Sequence, residues 1–130
     1  METKRQRQVA ELVKRNFGML LQGEGSYIYG SEVMVTVTSV KVTPDFSLAK
    51  IYLSVYNSEN KEDVITGLQE EYLRLKQGLA ARIRKQVRRI PDIAFYLDET
   101  IDEMYRVEAL FERLYRENQM PDKPSESEDQ

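Results

Sequence analysis

Near the start of the chain the apolar residues fall three and four positions apart, at Val9, Leu12, Val13, Phe17, Leu20 and Leu21. That spacing gathers them on one face of a helix. Thr3, with Gln6 three positions on, has the form of a capping box that would open it. The helix is expected to stop before QGEGSYIYG, residues 22–30, where Gly23, Gly25 and Gly30 mark an irregular connection. Residues 32–42, EVMVTVTSVKV, are rich in β-branched side chains and predict a strand. Its apolar set switches from odd positions (Val33, Val35, Val37) to even ones (Val40, Val42). Side chains alternate faces along a strand, so the switch implies a bulge near Ser39 or burial on both faces.

TPDFS, residues 43–47, supplies turn chemistry. The following AKIYLSVY alternates cleanly, with Ala49, Ile51, Leu53 and Val55 inward and Lys50, Tyr52, Ser54 and Tyr56 outward, which predicts an antiparallel hairpin. Over residues 60–89, Ile65, Leu68, Tyr72, Leu75, Leu79, Ile83 and Val87 recur at helical spacing without a proline. A helix of roughly eight turns would overhang so small a body, so a break is expected, at Gly78. Pro91 should end the second helix, and Ile93, Phe95 and Leu97 share one face of a third strand. Thr100 and Glu103 would cap a last helix through about Arg116.

The order predicts an α+β fold with helices on one face of a three-stranded sheet. At 130 residues there is room for one domain, assigned to residues 1–117, and residues 118–130 form an acidic tail with little to bury.

Composition narrows the chemistry. Cysteine and histidine are both absent, which removes disulfides, thiol nucleophiles, imidazole bases and the usual zinc sites. The acidic pairs Asp98–Glu99 and Asp102–Glu103 have no apolar pocket to tune them and read as helix-start acids. No phosphate-cradling glycine loop or nucleophile elbow occurs. The chain has no apolar run long enough to span a membrane and opens with a polar, amphipathic stretch where a secretory signal would be apolar. The expectation is a protein without catalytic residues, metal site, cofactor, small-molecule substrate or membrane partner.

The net charge of −3 hides an asymmetry: residues 98–130 hold eleven acids against four bases, which leaves residues 1–97 at +4. Within residues 72–91 lie Arg74, Lys76, Arg82, Arg84, Lys85, Arg88 and Arg89 and no acid at all. Like charges so concentrated repel one another, and a phosphate backbone relieves that repulsion while shedding its own counterions. The alternative is a solvated face paired with acids elsewhere in the chain, the C-terminal tail included. Lys4, Arg5, Arg7 and Arg15, with Lys14, add a basic face on the first helix, interrupted by Glu2 and Glu11. Tyr52, Tyr56 and Tyr96 on the outer sheet face offer stacking surfaces for bases, although tyrosine is also a favoured strand residue. The acidic tail, beside a basic surface, would compete with a polyanion or serve solubility alone.

Residues 35–56, VTVTSVKVTPDFSLAKIYLSVY, resemble a signature of the ribosome-binding factor A family: a strand, a Thr-Pro-Asp turn with Ser two positions on, and an Ala-Lys second strand. A second family motif is matched by RRIPDIAFYLDETID, residues 88–102, and the amphipathic opening RQRQVAELVKR fits as well. The resemblance extends over about residues 3–116. It implies a type II KH-like fold in which a kink at a small residue replaces the usual GxxG loop. It also implies a bacterial, cytoplasmic and monomeric protein with no enzymatic step. Such a protein binds free or immature 30S subunits through 16S rRNA near the neck and the 5′ terminal helix. It assists late maturation, including 5′-end rRNA processing, departs before translation, and is associated with growth in the cold. Arg82, Arg84, Lys85, Arg88 and Arg89 fall where the family's rRNA-facing helix lies. The competing reading is a protein-interaction module whose basic face meets an acidic partner without RNA.

Overall fold

The computed structural model describes residues 2–100 and 110–114. Its first helix, α1 (Lys4–Glu24), opens on the capping box: the Gln6 N–H donates to Thr3 Oγ1 at 3.1 Å and the Thr3 N–H donates to Gln6 Oε1 at 2.8 Å. Val9, Val13, Phe17, Leu20 and Leu21 are buried, as the spacing required. The helix runs one turn beyond its expected end before Gln22, and Gly25 N–H then closes on the Leu21 carbonyl at 2.7 Å. A Cβ at Gly25 would collide with the Tyr29 phenol and the Leu21 carbonyl, which is why a glycine stands there. A single turn, α2 (Ser26–Tyr29), follows.

Strands β1 (Met34–Val42), β2 (Leu48–Tyr56) and β3 (Asp92–Leu97) form one sheet in the order β1-β2-β3. The β1–β2 pair is antiparallel and its register slips between Val37 and Ser39, so of the two readings of the parity switch, a bulge or burial on both faces, the bulge is the one observed. The extra residue, Thr38, brings its hydroxyl within 2.6 Å of Asp98 Oδ2, just past the end of β3. The β2–β3 pair is parallel, Leu48 opposite Asp92 and Tyr52 opposite Tyr96.

Two expectations about the central helices need correction. The break falls at Glu71, between α3 (Lys61–Glu70) and α4 (Tyr72–Ile83), and Gly78 lies inside α4. Glu71 has φ −99° and ψ 20°, a conformation open to any L-residue, so no small residue marks it. Its N–H is still satisfied, by the Gly67 and Leu68 carbonyls. Gly78 serves close packing instead: a Cβ there would stand 3.0 Å from Leu20 Cδ1 on α1.

Helix α4 also ends at Ile83, well before Pro91, and residues 84–91 form an irregular connection. Parallel pairing gives the reason. Asp92 must return to the Leu48 end of β2, where its N–H meets the Ser47 carbonyl at 2.8 Å. A helix continued to Arg89 would leave only Ile90 and Pro91 for that crossing, whereas unwound chain covers about twice the distance per residue.

Helices α1, α3 and α4 enclose one core with the inner sheet face, where Phe17, Ile51, Leu53, Leu68, Leu75, Leu79 and Ile83 are fully buried. The helix, strand, strand, helix, helix, strand order expected from periodicity is thus observed. Residues 99–130 separate from residues 1–98 as a second unit. Within it residues 110–114 are helical, with Leu110, Phe111 and Leu114 exposed. Glu103 of the expected capping box, most of the terminal helix and the tail of residues 118–130 lie outside the described residues.

Candidate nucleic-acid interface

The basic segment that opens with α4 divides into residues the fold uses and residues it leaves exposed. Arg74 Nε stands 3.0 Å from Glu24 Oε1 at the end of α1, and Arg74 Nη1 is 3.8 Å from Glu71 Oε1. Lys76 Nζ is 3.4 Å from Asp92 Oδ1 and lies 5.8 Å from the Tyr72 ring centre. The Tyr72 hydroxyl donates to the same Asp92 oxygen. That hydrogen bond, helped by the Lys76 ammonium, holds the Asp92 carboxyl below its ordinary pKa; it also raises the pKa of Tyr72, against the opposing pull of Lys76. Desolvation opposes the charge on Lys76, but its bonds to Asp92 and Tyr72 prevail and raise its pKa. These contacts fasten α4 to α1 and to β3. Arg74 and Lys76 therefore have structural partners, while the other bases of the segment have none among the described residues.

Arg82 sits in the last turn of α4, where a cation suits the helix dipole. Arg84, Lys85, Arg88 and Arg89 are exposed on the connection to β3 rather than on a helix. The first helix comes to meet them. Arg5 Nη2 donates to the Gln86 carbonyl at 3.3 Å, fixing that connection beside the first turns of α1. Lys4, Arg5, Arg7 and Arg15 then line one open groove of about 610 Å³ together with Gln86, and the acid facing it is Glu11.

Arg5 is shared with a second, adjoining cleft of about 340 Å³, where it meets Arg88 and Arg89 over a floor of Val9, Phe46 and Val87. Asp45, from the β1–β2 turn, completes the rim. Its Oδ1 accepts from the Thr43 hydroxyl at 2.8 Å, the Ser47 hydroxyl at 2.7 Å and the Ser47 N–H at 3.1 Å. Those bonds, the Ser47 hydroxyl foremost, pull its pKa down to about 2. Phe46 beside it holds φ +60°, a region bulky side chains rarely enter, and packs against the core.

The structure thus brings Lys4, Arg5, Arg7 and Arg15 into one groove and Arg5, Arg88 and Arg89 into its neighbour. Arg82, Arg84 and Lys85 remain exposed at the end of α4 and on the adjoining turn, and Arg74 and Lys76 are tied to carboxylates. Sequence reasoning missed Gln86, Asp45 and Phe46. The TPDFS segment was legible as a turn, but nothing local says that a turn at residues 43–47 abuts one at residues 84–91. On the outer sheet face Tyr52 and Tyr96 stack on each other, with ring centres 5.3 Å apart, while Tyr56 is exposed. Lys41 and Lys50 stand opposite one another in the β1–β2 register. Among the described residues there is no helix long and apolar enough to cross a membrane and no cluster of metal-ligating side chains.

Known proteins match most of this chain. The family model for ribosome-binding factor A matches residues 5–111. The ribosome-binding factor A of Cytophaga hutchinsonii is 38% identical over 102 residues, 78% of this chain and 76% of the relative. That of Flavobacterium johnsoniae is 31% identical over 108 residues, 83% of each chain, and that of Chlorobium phaeobacteroides is 35% identical over 116 residues, 88% of this chain and 97% of the relative. The crystal structure of Thermus thermophilus ribosome-binding factor A shares the fold with a TM-score of 0.58 at 22% identity, covering 71% of this chain and 94% of that one. A homology model of the Thermus thermophilus protein, fitted into a cryo-EM map of a complex with the 30S subunit, superposes with a TM-score of 0.54 at 24% identity over 68% of this chain and 90% of that one. These neighbours carry the KH-like fold expected from the sequence. With its motifs, its element order and most of its length matched, the chain belongs to the ribosome-binding factor A family.

Proposed function

We propose that this protein is a non-catalytic assembly factor that binds free or immature 30S subunits through 16S rRNA and assists late maturation of the small subunit, including 5′-end processing. The observation that carries the reading is the meeting of the α1 bases with residues 84–89: Lys4, Arg5, Arg7 and Arg15 line a groove closed by Gln86, and Arg88 and Arg89 line the cleft next to it. Guanidinium groups without carboxylate partners suit phosphates, which they grip in bidentate fashion. Arg84 and Lys85 extend the same surface. Arg82 belongs to it by proximity in the chain, whereas Arg74 and Lys76 contribute to the field around it and are held by Glu24 and Asp92. The fitting of a homologous protein in a 30S complex supports the choice of partner. The protein acts as a monomer in the cytoplasm under this reading and needs no cofactor.

Sucrose-gradient sedimentation of cell lysate tests it. The protein should travel with free small subunits, enriched where precursor 16S rRNA accumulates, and be absent from polysomes. A protein found only at the top of the gradient, in cells making immature subunits, would overturn the proposal.

A further inference from the structure

The cleft between α1, the β1–β2 turn and the connection after α4 has a composition that phosphate binding alone does not explain. A phosphate site needs cations and backbone donors, yet here Val9, Phe46 and Val87 make an apolar floor beneath the arginines. Val9 is buried, and Phe46 and Val87 are partly buried against the core. At about 340 Å³ the space lies at the small end of the range for ligand pockets. A carboxylate on the rim is a further contradiction for a pure anion site, since it repels phosphate.

The Asp45 carboxylate is built asymmetrically. The Thr43 and Ser47 donors all reach Oδ1, and Oδ2 accepts from no other described residue. A carboxylate oxygen only accepts, so Oδ2 presents lone pairs to whatever enters the cleft. Guanine is the base that offers adjacent N–H donors, N1–H and the 2-amino group, on its Watson–Crick edge. Adenine and cytosine put a ring acceptor beside their amino group, and uracil flanks its N–H with carbonyls. Unstacked bases in RNA are held by stacking on aromatic or guanidinium planes together with hydrogen bonds to that edge.

We infer that this cleft receives the base of a single unpaired guanosine in RNA: the ring rests on Val9, Phe46 and Val87, Asp45 Oδ2 accepts from its Watson–Crick edge, and Arg5, Arg88 and Arg89 hold the flanking phosphates. The inference rests on the rRNA reading and adds what feature of the RNA is recognised. It gives the turn at Thr43–Ser47 a purpose beyond joining two strands, because the bonds to Oδ1 aim Oδ2 while using none of its lone pairs.

The test uses the full-length protein and a short fluorescent RNA hairpin with one bulged guanosine. It is compared with the fully paired hairpin and with hairpins carrying inosine or adenosine at the bulge, by anisotropy at fixed salt. The bulged guanosine should bind about tenfold more tightly than the paired hairpin or the adenosine bulge. Inosine, which lacks the 2-amino group, should fall between guanosine and adenosine. Asp45→Asn keeps an oxygen for the turn and replaces the free acceptor by a donor, so it should abolish the guanosine preference while leaving the salt dependence of binding unchanged. If every hairpin binds equally but with steep salt dependence, the guanosine site is wrong and the rRNA reading stands. If no hairpin binds at any salt concentration, both fall. Should Asp45→Asn fail to fold by circular dichroism, the guanosine, inosine and adenosine series on the unaltered protein decides alone.

Discussion

Gln6 reaches from the first turn of α1 to the last residue of β1: its Nε2 donates to the Val42 carbonyl at 2.9 Å while its Oε1 accepts the Thr3 N–H at 2.8 Å. One buried side chain thereby caps the helix and docks it on the sheet, and the Arg5 beside it is held in place by the same anchorage. Gln6→Ala should cost about 1–3 kcal/mol, from the lost cap and the lost buried hydrogen bond. Gln6→Glu should cost more at neutral pH, because a carboxylate oxygen would then face the Val42 carbonyl. Urea denaturation of the three proteins checks the order, and a Glu variant as stable as the parent would contradict this geometry.

Close approach of α1 and α4 at Gly78 predicts intolerance of bulk. Gly78→Val should destabilise by about 1–3 kcal/mol through overpacking against Leu20. The double variant with Leu20→Ala should recover part of that loss, since a smaller residue opposite makes room. Thermal melts of the two single variants and the double variant give the coupling directly; strict additivity would mean that the two side chains do not meet.

Salt dependence separates the exposed bases from the paired ones. Replacing Arg84, Lys85 and Arg88 together by glutamine should flatten the log–log slope of RNA affinity against salt by about two units or more, each lost phosphate contact in a duplex contributing about 0.9. Arg74→Gln with Lys76→Gln should change that slope much less, because their charges are already matched by Glu24 and Asp92. Equal changes in both variants would show that the division drawn between the two groups is wrong.

The Asp45 carboxyl supplies a pH dependence whose sign is fixed. Its pKa is depressed to about 2 from 3.8, so its stabilising turn bonds are complete above pH 4 and are lost as pH falls through about 2. Relative to Asp45→Asn, the parent protein should show a melting temperature that drops further between pH 4 and pH 2, with parallel curves above that window. A difference that instead developed between pH 5 and pH 7 would point to another group.

Much of this arrangement was legible because it is written in local alternation. The parity switch around Ser39 located the bulge, and the Thr3–Gln6 pair located the start of α1. The break at Glu71 was hidden because its apolar spacing runs straight through from Leu68 to Leu75. Nothing about the residue itself disfavours a helix, and only the packing of α3 and α4 around a small core requires the turn. Gly78 misled for the converse reason, a glycine serving contact rather than flexibility. The end of α4 was invisible too, because Arg84–Arg89 have good helical propensity, and parallel pairing with β2 overrides it. For the candidate site, charge identified most of the residues but not the division among them. Whether a lysine is matched by an aspartate sixteen positions away, as Lys76 is by Asp92, depends on tertiary geometry.

The bond from Arg5 to the Gln86 carbonyl joins positions 81 apart in the chain. A chain that ends before Gln86 owns the cationic side chains of α1 yet lacks the residue that completes the groove they line. On the proposed reading, affinity for RNA is accordingly acquired late, once the chain has closed on itself through Gln86.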